Sequence, residues 1–311
     1  SQGEVVATDI NPPPVSIRTL VHEYGGGSFF TDIGEVFYVN FEDQRIYCCK
    51  SENGSLSSPV ALTPAYDAAQ SHRFTDFCID RKRNRLYCVM EEHGAEYQEP
   101  VNTIVAVALR SASDNGPIAE PVVVATGFDF YSSPRISPDG QALAYICWQH
   151  PNMPWDGCEL HLAAIDSADP QGLLLESRLV AGGSDCSVFQ PQWSPDGKLF
   201  FISDDSGFWQ PMVLASPGGL EVCPLLTGSA YGQCEFGLPM WVFGQSTYAV
   251  VSESLVVFAF NRRGIWSLAK MELDFSGEQG HRFIEIDTPY TEFSYLTAGD
   301  NRVAMLAASA S

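Results

Sequence analysis

Tyr131 to Cys147 reads YSSPRISPDGQALAYIC, and Phe189 to Ser203 reads FQPQWSPDGKLFFIS. Each is an apolar β-forming run, a Ser-Pro-Asp-Gly tetrad, and a second apolar run. The tetrads are Ser137-Pro138-Asp139-Gly140 and Ser194-Pro195-Asp196-Gly197. Serine suits the first position of a type I turn, where its hydroxyl bonds the backbone. Proline presets φ at the second position, aspartate tolerates the third, and glycine suits the fourth. Each stretch therefore predicts a β-hairpin.

Weaker copies of the unit lie on both sides. Phe74 to Met90 turns at Asp80 to Asn84, and Gly27 to Asn40 turns at Asp32-Ile33-Gly34. Trp241 to Phe260 predicts strand, turn at Ser252 to Ser254, and strand; Phe293 to Ala307 turns at Gly299-Asp300-Asn301. The hairpins recur every 50 to 57 residues or so (roughly), near the repeat length of propeller blades. One unit reads whole: strands at Gln190 to Trp193, Lys198 to Ser203, Trp209 to Ala215 and Leu220 to Leu226. Four antiparallel strands repeated radially make a β-propeller. The expected fold is all-β, with about six blades visible and a seven-bladed ring as the parent. A β-sandwich accounts for the strands but not for the period. Residues 1–311 are expected to form a single propeller domain. Residues 1–10, with a strand at Gly3 to Thr8 ahead of Pro12-Pro13-Pro14, would be the last strand of a preceding blade. The last blade would be incomplete at the C-terminus.

Composition narrows the function classes. The chain has 311 residues, 45% apolar and 18% charged, which suits a large buried core. Its net charge of −21, from 38 acidic and 17 basic residues, repels phosphate backbones, so nucleic acid is not an expected partner. The same field favours cationic ligands and peptide amino termini. No window is apolar for long enough to form a membrane helix, and Ser1 to Ile10 has no signal-peptide pattern. Nine cysteines occur without a metal-type Cys-x-x-Cys pair. Cys78, Cys88 and Cys147 read as small core residues, and adjacent Cys48 and Cys49 should face opposite sides of a strand. A reducing cytoplasmic setting is the expectation, with a secreted form as the alternative.

Other segments are more particular: His22 to Gly27 (HEYGGG), Trp148 to Gly157 (WQHPNMPWDG), Gln190 to Trp193, Ser203 to Trp209 (SDDSGFW) and Trp241 to Gly244 (WVFG). In this order the set resembles the propeller domain of the prolyl oligopeptidase family of serine peptidases. Within it, the acylaminoacyl-peptidase-like or dipeptidyl-aminopeptidase-like branch is the most similar. The resemblance runs from about Gly3 to Ala308. It implies a parent in which a propeller restricts access to a C-terminal α/β-hydrolase domain, with peptides as substrates. No Gly-x-Ser-x-Gly elbow occurs in these residues; Gly244-Gln245-Ser246-Thr247-Tyr248 lacks the last glycine. No catalytic residue is therefore carried over. A stand-alone TolB-like scaffold for protein interactions is the alternative.

The candidate gating or interdomain residues are His22, Glu23, Tyr24, His150, Asn152, Met153, Trp155 and Asp156. Blade topology puts the loop after a second strand on the same rim as the segment that opens a blade. Residues 150–157, 204–208 and 22–27 should therefore share one rim, opposite the Ser-Pro-Asp-Gly turns. The competing reading is that the prolines and Trp155 only stiffen a loop, and that His22-Glu23 braces a glycine-rich bend. Gly25 to Gly27 is followed by neither lysine nor helix, so no phosphate loop and no cofactor is expected. Asp156, Glu159 and His161 are weighed as metal ligands and read instead as polar surface residues. Trp193 and Trp209 should pack between blades. Arg81 to Arg85 (RKRNR) should be a solvated turn.

Overall fold

In the computed structural model, each tetrad is a turn organised by its own serine. The N–H groups of Gln141 and Ala142 donate to Ser137 Oγ at 3.2 and 3.0 Å, while that hydroxyl donates to Asp139 Oδ1 at 2.6 Å. Ser194 repeats the pattern, accepting from Lys198 N–H at 3.0 Å and donating to Asp196 at 2.5 Å. Gly140 and Gly197 have φ values of 66° and 85°, so the glycines are required by the backbone. The structure describes residues 15–52, 55–68, 70–95, 98–219, 221–226, 230–277 and 280–309.

The strands form six antiparallel sheets in chain order. The first holds β1 (Phe29–Asp32), β2 (Glu35–Val39) and β3 (Ile46–Glu52), with β4 (Ser55–Leu56) and β5 (Val60–Ala61) both paired to β3. The second is β6 (His72–Asp80), β7 (Arg85–Glu92), β8 (Val101–Ala108) and β9 (Val122–Ala125). The third is β10 (Phe130–Ile136), β11 (Ala142–Trp148), β12 (Glu159–Ile165) and β13 (Leu174–Gly182). The fourth is β14 (Val188–Trp193), β15 (Leu199–Ser203), β16 (Gln210–Leu214) and β17 (Val222–Pro224). The fifth is β18 (Tyr248–Ser252), β19 (Leu255–Arg262), β20 (Ile265–Glu272) and β21 (Arg282–Ile286); the sixth is β22 (Glu292–Gly299) and β23 (Arg302–Ala308). This is the all-β propeller expected from the repeat. Among the described residues there is no helix long and apolar enough to cross a membrane. The strand expected at Gly3 to Thr8 lies outside the described residues.

The core consists of slabs between neighbouring sheets. Tyr87, Val89 and Ile104 of the second sheet meet Tyr131, Leu143 and Tyr145 of the third. Phe189, Phe200 and Ile202 of the fourth meet Phe258 and Phe260 of the fifth. Cys48 and Cys49 enter different clusters, as strand alternation requires, and all nine cysteines are free. Trp193 bridges two blades, its Nε1–H donating to Arg135 O at 2.9 Å. Trp209 packs edge-on to Phe189.

A backbone irregularity recurs in the inner strands. Asp76, Ser133, Gln190 and Tyr295 have φ values of 58°, 54°, 51° and 55°, each inside a bulge at the same place in its blade. Asp76, Ser133 and Gln190 tie blades together. Asp76 accepts the Ser133 N–H at 2.7 Å and an Arg135 N–H at 2.8 Å. Gln190 accepts the Thr247 N–H at 2.7 Å and donates to Tyr248 O at 2.7 Å.

Two expectations are corrected. The fifth inner strand begins at Tyr248, not Trp241, because residues 241–244 leave the blade and reach the first. The RKRNR turn is not simply solvated. Arg81 pairs with Asp32 and Glu35 at 2.6 and 2.7 Å, and buried Arg83 pairs with Asp80 at 2.9 Å while donating to Gly140 O at 2.8 Å. An acidic chain uses these cations as ties between blades.

Replacing Asp76 with alanine should destabilise the chain by about 3 kcal/mol, since it strips the partner from Arg135 and a buried backbone N–H. Asp76→Asn keeps a residue tolerant of positive φ and should lose about 1 kcal/mol. Equal urea midpoints for Asp76→Ala and wild type would show that the link is not structural.

Candidate functional site

Four of the motifs singled out in the sequence bear on one rim, and three of them close a cavity there. Residues 22–27 enter the first blade through a run of left-handed backbone, with φ of 53° at His22, 62° at Glu23 and 91° at Gly26. Gly26 forms a parallel bridge with Phe243, and a Cβ on it would lie 2.3 Å from Phe243 O. Phe243 N–H donates to Gly25 O at 3.0 Å. The HEYGGG and WVFG segments are thus joined, and the glycines are there because two backbones touch.

The loop between β11 and β12, residues 149–158, forms the opposite wall. Asp156 Oδ2 accepts the Met153 N–H at 2.9 Å, Asn152 Nδ2 donates to Ser184 O at 2.7 Å, and His150 N–H donates to Asp129 Oδ2 at 2.8 Å. Ser187 Oγ donates to Pro154 O, and Ser187 N–H to Asp204 Oδ1, which brings the loop after β15 to the same rim.

Between these walls lies a cavity of about 340 Å³. His22, Glu23, Tyr24, His150, Asn152, Met153 and Trp155 all line it; Asp156 does not, and its carboxylate closes the loop on Met153 N–H. The opposite mouth is a separate hollow lined by the Ser137 to Gly140 turn, Arg135 and Trp193.

Aromatic rings form the cavity floor. Phe130 stacks on Trp148 with centroids 5.3 Å apart, and His22 presents its edge to both, at 5.1 and 5.9 Å. Trp155 and Trp241 approach to 4.3 Å across the mouth. Tyr24 and Trp241 are 66% and 54% exposed, an open aromatic rim.

Carboxylates supply the polarity. Buried Glu91 accepts from the His22 backbone N–H at 2.9 Å, from Arg73 at 3.1 Å and from His93 Nε2 at 2.7 Å. Arg73 also holds Glu23 at 2.6 Å, which lowers the Glu23 carboxyl below its usual range. Glu99 and Asp129 add two further carboxylates to the wall. Burial holds the His22 imidazole below its usual value, against the opposing charge of Glu91 and the hydrogen bond to Asn102. Sequence reasoning missed Glu91, His93, Asn102, Asp129 and Phe130. Their positions at strand ends on the loop rim were the available signal.

Puromycin hydrolase superposes on 96% of the chain, with a TM-score of 0.82 and 26% sequence identity. A variant of that enzyme complexed with PGG matches equally well. A puromycin-hydrolyzing peptidase from Mycobacterium tuberculosis aligns over 97% of the chain, with a TM-score of 0.79 and 27% identity. The chain's propeller is similar to the propeller part of these peptidases, as the resemblance to the prolyl oligopeptidase family implies. It spans 44% and 48% of those two proteins. TolB from Acinetobacter baumannii aligns over 88% of the chain and 61% of its own, with a TM-score of 0.49 and 13% identity. No protein-family model and no curated protein matches the sequence.

In this propeller, neutral His22 is the form the fold accommodates. Its contribution to stability should be complete above the ordinary value of 6.5 and be lost as pH falls through its depressed folded value. Urea unfolding from about pH 7.5 down to about pH 5 should therefore weaken wild type more than His22→Gln. Parallel curves would show that His22 titrates as a free histidine.

Proposed function

We propose that this propeller gates a serine peptidase that hydrolyses short peptides at or near their amino termini, and that the rim cavity receives the substrate's amino-terminal residue. One observation carries the reading: a cavity floored by aromatic rings opens beside a group of carboxylates on the loop rim. Aromatic faces attract both planar side chains and cations, and nearby carboxylates favour an ammonium group. A free α-amino group next to a bulky side chain meets both demands. Two solved enzymes similar to this chain in fold and sequence are named for the hydrolysis of puromycin, which supports an aminoacyl substrate.

On this reading the exposed rim of Tyr24, Met153 and Trp241 faces a C-terminal α/β-hydrolase domain. That domain supplies the nucleophile, and the propeller limits which substrates reach it. The placement in the acylaminoacyl- or dipeptidyl-aminopeptidase-like branch and a cytoplasmic setting belong to the same proposal. A TolB-like scaffold would instead use this rim for a protein partner.

The 311-residue chain should not cleave aminoacyl arylamides above background. It should still bind phenylalanine amide and quench tryptophan fluorescence, while N-acetylphenylalanine amide does not. Glu23→Gln should weaken binding about three- to tenfold. Equal binding of the free and acetylated amides would overturn the assignment of the cavity. Separately, the reading frame beyond Ser311 should encode a Gly-x-Ser-x-Gly hydrolase domain. A stop codon there, with no hydrolase in the locus, would favour the scaffold.

A further inference from the structure

On the third blade, away from the cavity, three side chains of different chemistry converge. Cys147 on β11 lies directly opposite Glu159 on β12, and His161 stands two residues beyond Glu159. Strand alternation puts Glu159 and His161 on one face, and direct pairing puts Cys147 there too. A sulfur, a carboxylate oxygen and an imidazole nitrogen lie within 4.8 Å of one another. His161 Nε2 is 2.7 Å from Glu159 Oε2, and its Nδ1 is 3.3 Å from Ser177 Oγ. The ring is held by Tyr145, stacked at 5.7 Å, and by Phe128, edge-on at 5.5 Å. Cys147 is buried, while Glu159 and His161 are partly open, so the group can be approached from one side.

We propose that Cys147, Glu159 and His161 bind one divalent ion of the zinc class, leaving a coordination position open. Zinc takes thiolate sulfur at about 2.3 Å and imidazole nitrogen or carboxylate oxygen at about 2.0–2.2 Å. Small side-chain rotations bring donors already this close into that shell. A mixed sulfur, nitrogen and oxygen set selects zinc or cobalt over calcium or magnesium, which take oxygen. The charges also close: thiolate and carboxylate carry two negative charges, and the ion carries two positive ones. Metal binding releases the Cys147 thiol proton to solvent and takes neutral imidazole through Nε2, with the ring proton on Nδ1. Ser177 then accepts the remaining Nδ1–H and fixes the ring, since a hydroxyl serves as donor or acceptor.

The ion would also act on the rim. Cys147 and Glu159 are the last paired residues of β11 and β12 before residues 149–158 leave the sheet. Bridging them clamps the neck of the loop that carries His150, Met153 and Trp155. This proposal does not rest on the peptidase reading.

The test is cobalt(II) titration of the full chain, followed by optical absorption. Wild type should take one cobalt per chain and show a near-ultraviolet thiolate-to-cobalt band that zinc abolishes. Cys147→Ser should lose the band while keeping the wild-type circular dichroism spectrum. Ser177→Ala should keep the band with affinity about tenfold lower or more. Glu159 is partly open, so Glu159→Gln serves should the cysteine variant misfold; it too should bind about tenfold more weakly or worse. A wild-type chain without the band, a band that survives Cys147→Ser, or unchanged affinity in Glu159→Gln would overturn the site.

Discussion

One left-handed residue in the inner strand of a blade, reaching the backbone of the next blade, is the constraint on which the rest depends. Sheets packed face to face by apolar side chains alone could slide and rotate, because apolar contact has little direction. Asp76 removes that freedom between the second and third blades. Its carboxylate takes the Ser133 N–H and the Arg135 guanidinium, and its own N–H donates to Gly27 O at 3.1 Å. Gln190 does the same between the fourth and fifth blades with an amide that accepts from Thr247 and donates to Tyr248 O. A bulge is what allows this. It lifts one residue out of the ladder, turns its side chain along the ring, and frees a backbone N–H for the neighbouring blade. The strained φ is offset by directional bonds in a buried setting, where an unmade bond is costly.

The rim inherits its precision from these ties. Phe130 and Trp148 stand at the ends of paired strands, so the cavity floor is as fixed as the sheet itself. The walls are loops, yet they are not free. The Gly26–Phe243 bridge joins the first blade to the segment preceding the fifth, and Ser187 anchors residues 149–158 to the fourth. Aromatic side chains that would otherwise be exposed are presented on backbone that has few ways to move.

The repeat was legible because turn chemistry is local. Ser137 and Ser194 hydrogen-bond residues four or five positions away, and glycine follows from φ, so sequence alone carries the signal. Much of the rim was legible too, since strand order decides which loops share a face. What stayed hidden was long-range. Trp241-Val242-Phe243 has the composition of a strand, and nothing nearby in sequence says that Gly26 will claim it. Arg81 and Arg83 look like solvent-facing charge until Asp32, Glu35 and Gly140 arrive from other blades. Glu91 and Asp129 carry no motif; their role depends on which loops converge, which local pattern does not encode.

Electrostatics gives the cavity a direction. Arg73 is shared by Glu23 and Glu91, so one positive charge faces two negative ones. Glu99 and Asp129 enlarge the imbalance, and burial keeps His22 neutral instead of restoring the balance. The aromatic floor is low-dielectric surface, which lengthens the reach of those charges. In the proposed role, a peptide approaching this rim would be drawn in by its ammonium end and repelled at its carboxylate end. The net charge of −21 extends the same preference beyond the rim, within the limit set by salt screening. The acidic composition, which on its own signifies only solubility, thus acquires a consequence for substrate polarity once the fold places carboxylates beside rings at a single opening.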